Sequence, residues 1–255
     1  MAQGFPSPDI AAPPIGPVAR YDTLADRAYE QLRHALMSGS FLPGQKLTIR
    51  KIAGVLGISA TPARDAISRL VSERVLEADA NRTVSVPMLD VDKLRDIYLL
   101  RSALEGLAAE RGAARFAPQA VEELERTQLA LIGALDRNDY KRVLTENEAF
   151  HFGIYRASGS PLLVEAIQQL WLKLGPSLNL LYPSYNRSRK GVNHHLDTIR
   201  ALRAGDAAAV RRAIEDDLRD GALELERAIT ENAQQAPPAK GAAKAPAPLA
   251  SFSRE

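Results

Sequence analysis

Read as a helix, residues 139–157 place Tyr140, Val143, Leu144, Ile154 and Tyr155 on one apolar face, with Asn147 and His151 in the middle of it. Four residues apart, those two polar side chains stack together. His195 holds a similar place in a stripe of Val192, Leu196, Ile199 and Leu202, while His194 is turned away. Val210, Ile214, Gly221 and Ala228 mark the inner face of a last helix, and of Glu215-Asp216-Asp217 only Asp217 points there. Arg101 and Glu105 interrupt the stripe of Leu94, Ile97, Tyr98 and Ala108. Singly, each has a plain structural reading: an inward histidine is commonly a satisfied core residue, and Arg101 and Glu105 can neutralise one another. Six such groups from four helices are harder to explain that way. Buried polar groups must be paired, and buried charges paired or coordinated. The pattern implies a polar, ligand-holding cavity inside a helical bundle.

The elements that must position these groups are legible from periodicity. From Val91 to Thr230 every segment reads as helix, over roughly 92–115, 118–137, 139–157, 161–181, 188–204 and 206–230. Pro118 and Pro161 suit first helical positions and Asp139 an N-cap. Arg203-Ala204-Gly205-Asp206 reads as a stop followed by a fresh start. Leucine and alanine are abundant and β-branched residues sparse, as a bundle requires. Residues 1–19, with five prolines and few large apolar side chains, and residues 232–255, rich in Ala, Pro and Lys, read as disordered tails.

Ahead of the bundle, Leu24, Ala28, Leu32, Ala35 and Leu36 form a helical stripe, and Phe41-Leu42-Pro43-Gly44 a turn. Ile49, Ile52, Ala53 and Leu56 then give a short helix that Gly57 can stop in a left-handed cap. Ser59 or Thr61 can cap the next helix, with Pro62 in its first turn and Ala63, Ala66, Ile67 and Leu70 on its buried face. Two short helices joined by a tight turn are a helix-turn-helix, which places its second helix in the DNA major groove. Between Gly44 and Ser72, Lys46, Arg50, Lys51, Arg64 and Arg69 face only Asp65, a net +4 in a chain whose total is +2. Concentrated basic charge of this kind is a nucleic-acid footprint. Val75-Leu76-Glu77 and Val84-Ser85-Val86 flank Asp79-Ala80-Asn81-Arg82 as a small β-wing.

Composition bounds the alternatives. The 255 residues allow one or two domains, and 45% hydrophobic with 25% charged residues is a soluble globular balance. There is no cysteine, so disulfides, thiolate metal sites and cysteine nucleophiles are excluded. No apolar run approaches the roughly 18 residues of a membrane span, and no signal-peptide pattern opens the chain. A cytoplasmic location is expected.

Phe41-Leu42-Pro43-Gly44-Gln45-Lys46-Leu47, followed by Ile58-Ser59-Ala60-Thr61-Pro62-Ala63-Arg64-Asp65-Ala66, resembles the winged helix of GntR-type bacterial transcription regulators. Later segments resemble the FadR-like branch with its all-helical effector domain of FCD type: Arg101-Ser102-Ala103-Leu104-Glu105, Asn147 to His151, Ala157 to Leu163, and His194 to Asp206. The resemblance covers Leu24 to Ala228. It implies a mainly α chain: a winged helix-turn-helix over 20–90, then an antiparallel helical bundle over 91–231 for effector binding and dimerisation. It assigns DNA contacts to Arg50, Thr61, Arg64, Arg69 and Arg82. Three departures stand out: Ala60 replaces an arginine of the motif, and Arg74 and Thr83 replace glycines of the wing.

In metal-binding members an Asp or Asn and three histidines hold a divalent ion whose shell a small carboxylate effector completes. Asn147, His151 and His195 fill three of those places, and Asp217 stands where the third histidine is usual. That N/O set suits Zn, Ni or Mn. Ligand contacts are expected from Arg101, Glu105, Asn147, His151 and His195. A metal-free pocket, with Arg101, His151 and His195 holding an organic anion, is the alternative within this reading. The function implied is a homodimeric, effector-responsive regulator, usually a repressor, bound to double-stranded operator DNA and not to membranes. The competing class is a metal-dependent enzyme on a helical bundle, against which no spare general base stands out beyond Glu105.

Overall fold

A computed structural model describes residues 23–182 and 189–235. Helix α1 (Leu24–Met37) opens on a capping box in which Thr23 and Asp26 satisfy each other's backbone N–H groups. Strand β1 (Lys46–Leu47), helix α2 (Ile49–Leu56) and helix α3 (Ala60–Ser72) follow, then strands β2 (Glu77–Ala78) and β3 (Val84–Ser85). The sheet runs β1-β3-β2, antiparallel throughout, with Leu47 and Ala78 both opposite Val84. Gly57 ends α2 in the left-handed conformation, as its position predicts. Thr48 caps α2, whereas Ser59 occupies the N-cap of α3 without a side-chain cap bond.

The wing differs from its sequence pattern. Val75 and Leu76 are buried in the domain core, so pairing starts only at Glu77, and β1 supplies a third strand that two residues could not announce. Arg74 and Arg82 have φ of 56° and 60°, in the left-handed region where a side chain is strained. Arg74 stands where the family pattern has glycine, and its backbone shows why glycine suits that place. The Asp79 carboxylate organises the wing turn by accepting from the Asn81 and Thr83 N–H groups at 2.9 and 2.8 Å.

The second region comprises α4 (Val91–Ala113), α5 (Pro118–Asp136), α6 (Tyr140–Arg156), α7 (Pro161–Leu174), a 3₁₀ segment (Gly175–Leu181), α8 (Lys190–Ala204) and α9 (Ala207–Gln235). Pro118 and Pro161 open their helices, Asp139 caps α6, and Gly205 separates α8 from α9 with φ 68°. Arg95 pairs with Glu226 and Arg211 with Glu110, so α4 and α9 lie antiparallel. The helix expected over 161–181 breaks at Leu174 because Pro176 has no N–H to continue the ladder. The bare Cα of Gly175 also lets α1 approach: a Cβ there would sit 2.8 Å from the Met37 carbonyl oxygen. Helix α9 runs a turn further than expected, to Gln235. The tail at 1–19 and residues 236–255 of the other lie outside the described residues. No helix described is long and apolar enough to cross a membrane.

Candidate nucleic-acid interface and metal centre

The helix-turn-helix buries Ile52, Ala53, Ala63, Ala66, Ile67 and Leu70, which turns the polar side of α3 outward. Arg50, Thr61, Arg64 and Arg82 are exposed. Among the described residues, the guanidinium groups of Arg50, Arg64 and Arg82 meet no carboxylate within ion-pair distance. Arg69 behaves differently. It stacks on the Tyr29 ring, 3.7 Å from its centroid, and pairs with Glu73 at 3.3 Å and Asp26 at 3.7 Å. The Tyr29 hydroxyl donates to the same Glu73 carboxylate at 2.6–2.7 Å. Arg69 therefore locks α3 onto α1 and is already engaged within its own domain.

In the bundle, the structure brings His151, His195 and Asp217 together from α6, α8 and α9. His151 Nε2 lies 3.3 Å from His195 Nε2 and 3.3 Å from Asp217 Oδ2, and His195 Nε2 lies 3.9 Å from that oxygen. Both imidazoles are oriented from behind. His195 Nδ1 faces Gln128 Oε1 at 2.7 Å, and His151 Nδ1 faces the Tyr155 hydroxyl at 3.0 Å. Tyr155 donates its single proton to Glu105 at 2.6 Å, so His151 Nδ1 must donate to Tyr155. With the Gln128 amide oriented as it stands, His195 Nδ1 also donates. The two Nε2 lone pairs and the Asp217 carboxylate then converge on one point with no donor among them. A cation at that point would satisfy all three acceptors, whereas a single water could donate to only two of them.

The residues fit a metal. Bonds of about 2.0–2.2 Å to a tetrahedral ion set donors about 3.3–3.6 Å apart, which matches the two 3.3 Å spacings and falls a few tenths short of the 3.9 Å one. Hydrogen-bond partners on the far nitrogens of ligating histidines are usual at metal sites. Burial drives His195 down to about 3, so its imidazole is neutral, the form that ligates. Burial pushes the Asp217 carboxyl up, but its interactions with the neighbouring histidines, His151 first, outweigh it and hold the group below its ordinary value.

The trio lies on the wall of a cavity of about 70 Å³, which Asn147 and Arg101 also line. Glu105 lies behind that wall. Fully buried, it accepts from Arg101 Nε at 2.5 Å, from Trp171 Nε1 at 3.0 Å and from Tyr155. Burial works against the Arg101 charge, but the Glu105 carboxylate outweighs it and raises the guanidinium pKa. His194 faces away from the cavity and pairs with Asp220 at 3.0 Å.

The gntR family of bacterial regulatory proteins matches residues 24–86, and the FCD domain matches residues 96–220. The HTH-type transcriptional regulator McbR of Escherichia coli is 32% identical over 198 residues, covering 76% of this chain and 89% of that protein. The chain belongs to the GntR family. It is a DNA-binding transcription regulator with an N-terminal helix-turn-helix and a C-terminal FCD domain. The solved E. coli McbR/YncC structure superposes with a TM-score of 0.75 at 29% identity, over 80% of this chain and 98% of that one. A GntR regulator from Rhodococcus sp. RHA1 shares the fold, with a TM-score of 0.65 at 20% identity over 79% of this chain and 96% of that one. McbR is named as a regulator, and the enzyme reading finds no support in it.

Sequence reasoning missed part of the FCD site. Gln128 sits in a run of buried residues on α5, Val121, Leu124, Leu131 and Leu135, and a glutamine there was the available signal. Tyr155 reads as one more member of an apolar face and Trp171 carries no signal of its own, and nothing in their spacing shows that both donate to Glu105.

Proposed function

We propose that this GntR protein is a homodimeric, effector-responsive repressor whose effector binds beside a divalent metal in the FCD cavity. The reading is carried by one observation: His151, His195 and Asp217 converge on a cavity wall, with the far nitrogens of both imidazoles held by Gln128 and Tyr155. His151, His195, Asp217 and the cavity-lining Asn147 would hold the ion. When bound, the metal supplies a Lewis-acidic position for a carboxylate. Arg101, kept charged by Glu105, faces the same space and orients that carboxylate. In this proposal residues 20–90 bind operator DNA through Arg50, Thr61, Arg64 and Arg82, while Arg69 positions the recognition helix. Residues 91–231 sense and dimerise. Leu99, Leu100 and Leu107 are exposed along α4, around Ala103, and a second copy covering that ridge would bury it.

A physical connection between cavity and DNA-binding domain supports the regulatory role. Leu178 and Leu181 of the 3₁₀ segment line the cavity, while Asn179 between them donates to the Gly39 and Phe41 carbonyls at 2.7 and 3.1 Å. Those carbonyls belong to the turn between α1 and β1. Leu144 also lines the cavity, and a Cβ on Gly39 would stand 2.6 Å from its Cδ1. One layer of side chains separates the ligand space from the turn entering the helix-turn-helix.

The test is operator affinity with and without Zn²⁺, using duplexes the protein selects from a random pool. Wild type and His194→Ala should respond to the metal; His151→Ala, His195→Ala and Asp217→Asn should bind DNA and ignore it. Equal damage from His194→Ala and His195→Ala would overturn the site.

A further inference from the structure

Resting on that metal-holding cavity, we infer that its ligand is a small monocarboxylate with an apolar tail, its single charge beside His151, His195 and Asp217 and its tail between two separate hydrophobic clusters. Among the described residues, the charges lining the cavity are Arg101, Arg189 and Asp217. Glu105 balances Arg101, and Asp136 balances Arg189 at 2.6 Å on a half-exposed rim. A divalent ion against Asp217 leaves one net positive charge, which one carboxylate neutralises. A second carboxylate would find no free cation among the described lining residues, and burying an unpaired charge is strongly unfavourable.

The shape of the hydrophobic core points the same way. Buried apolar residues form a large cluster and a small separate one, Leu131, Ala134, Leu135 and Val143, against which Tyr182 and Val192 pack. The cavity has Leu144, Leu178 and Leu181 of the large cluster on its wall, together with Leu131, Leu135 and Val192 of the small one. An apolar tail placed there packs against both clusters at once, beside Tyr182, which touches each of them. Room on the order of five water molecules suits a carboxylate with roughly three or four carbons. Polyhydroxylated acids fit poorly, since leucines and valine dominate that side of the lining.

The test is calorimetry on full-length Zn²⁺-loaded protein with acetate, propionate, butyrate, succinate and butyramide. Affinity should tighten about fourfold per methylene from acetate to butyrate. Succinate and the uncharged butyramide should each bind at least tenfold more weakly than butyrate. Val192→Ala should weaken butyrate and spare acetate. Flat affinity along the series, succinate matching butyrate, or equal losses for both acids in Val192→Ala would overturn the inference while leaving the metal cavity standing. Carboxylates that ignore the metal, or fail to bind at all, would overturn the proposed function with it.

Discussion

The surface of the helix-turn-helix and the interior of the bundle are both built from charged side chains, and they treat charge in opposite ways. Arg50, Arg64 and Arg82 stand in solvent with no carboxylate partner among the described residues, a state that costs little stability and leaves them available to phosphates and bases. Arg101, Glu105, His151, His195 and Asp217 are almost wholly enclosed, and each of them faces another member of the set. Surface charge can be removed with the fold intact. Interior charge is tied to the fold through its partners. Substitutions should therefore separate cleanly into those that change DNA affinity alone and those that change stability.

The largest expected effect is at Glu105. Glu105→Ala strands Arg101 in the core and should cost about 3–5 kcal/mol in denaturant unfolding, the usual loss on breaking a buried pair. Replacing both residues by apolar ones of similar size should be milder. A loss under 1 kcal/mol in the single variant would break the contrast.

Tyr29 and Arg69 sharpen it, because here charge inside the DNA-binding domain acts as packing. Tyr29→Phe removes a bond to a charged acceptor and should cost about 1.5–3 kcal/mol. Burial and the Glu73 carboxylate raise the Tyr29 phenol from 10.0 to about 12. The unfolded chain thus loses this proton first, and the stability Tyr29 provides is complete below pH 10 and lost as pH rises to 12. Unfolding curves across that window should fall more steeply for wild type than for Tyr29→Phe; parallel curves would contradict the role.

The third expectation concerns the open surface. Arg64→Ala should weaken selected DNA by about 1–3 kcal/mol at fixed salt if it reads a guanine, with stability changed by less than about 0.5 kcal/mol. A variant that unfolds readily would show that Arg64 carries packing instead.

Most of the architecture could be read from the chain because it rests on local signals. Gly57, Asp139, Pro118, Pro161 and Gly205 punctuate helices through their own backbone chemistry. Periodicity placed Asp217 inward and Asp216 outward, and Asp216 pairs with Arg219 on the surface. What escaped depends on distant partners. Arg69 reads as one more basic residue of the recognition helix until Tyr29, forty positions earlier, is seen beneath it. Glu105 reads as a ligand contact until three donors from α4, α6 and α7 are seen to occupy it. The break at Gly175-Pro176 was visible in principle, but the leucines spaced along both sides carried the helix pattern across it.

The central claim is that the enclosed charges govern the open ones, and linkage tests it most directly. Zn²⁺ affinity is measured by calorimetry with and without saturating selected duplex, beside DNA affinity with and without saturating Zn²⁺. The account predicts that each ligand changes the other's dissociation constant by one common factor, about 5–150-fold. That factor should shrink towards one in Asn179→Ala, while each ligand alone still binds. A Zn²⁺ dissociation constant unchanged by DNA in wild type would contradict the account.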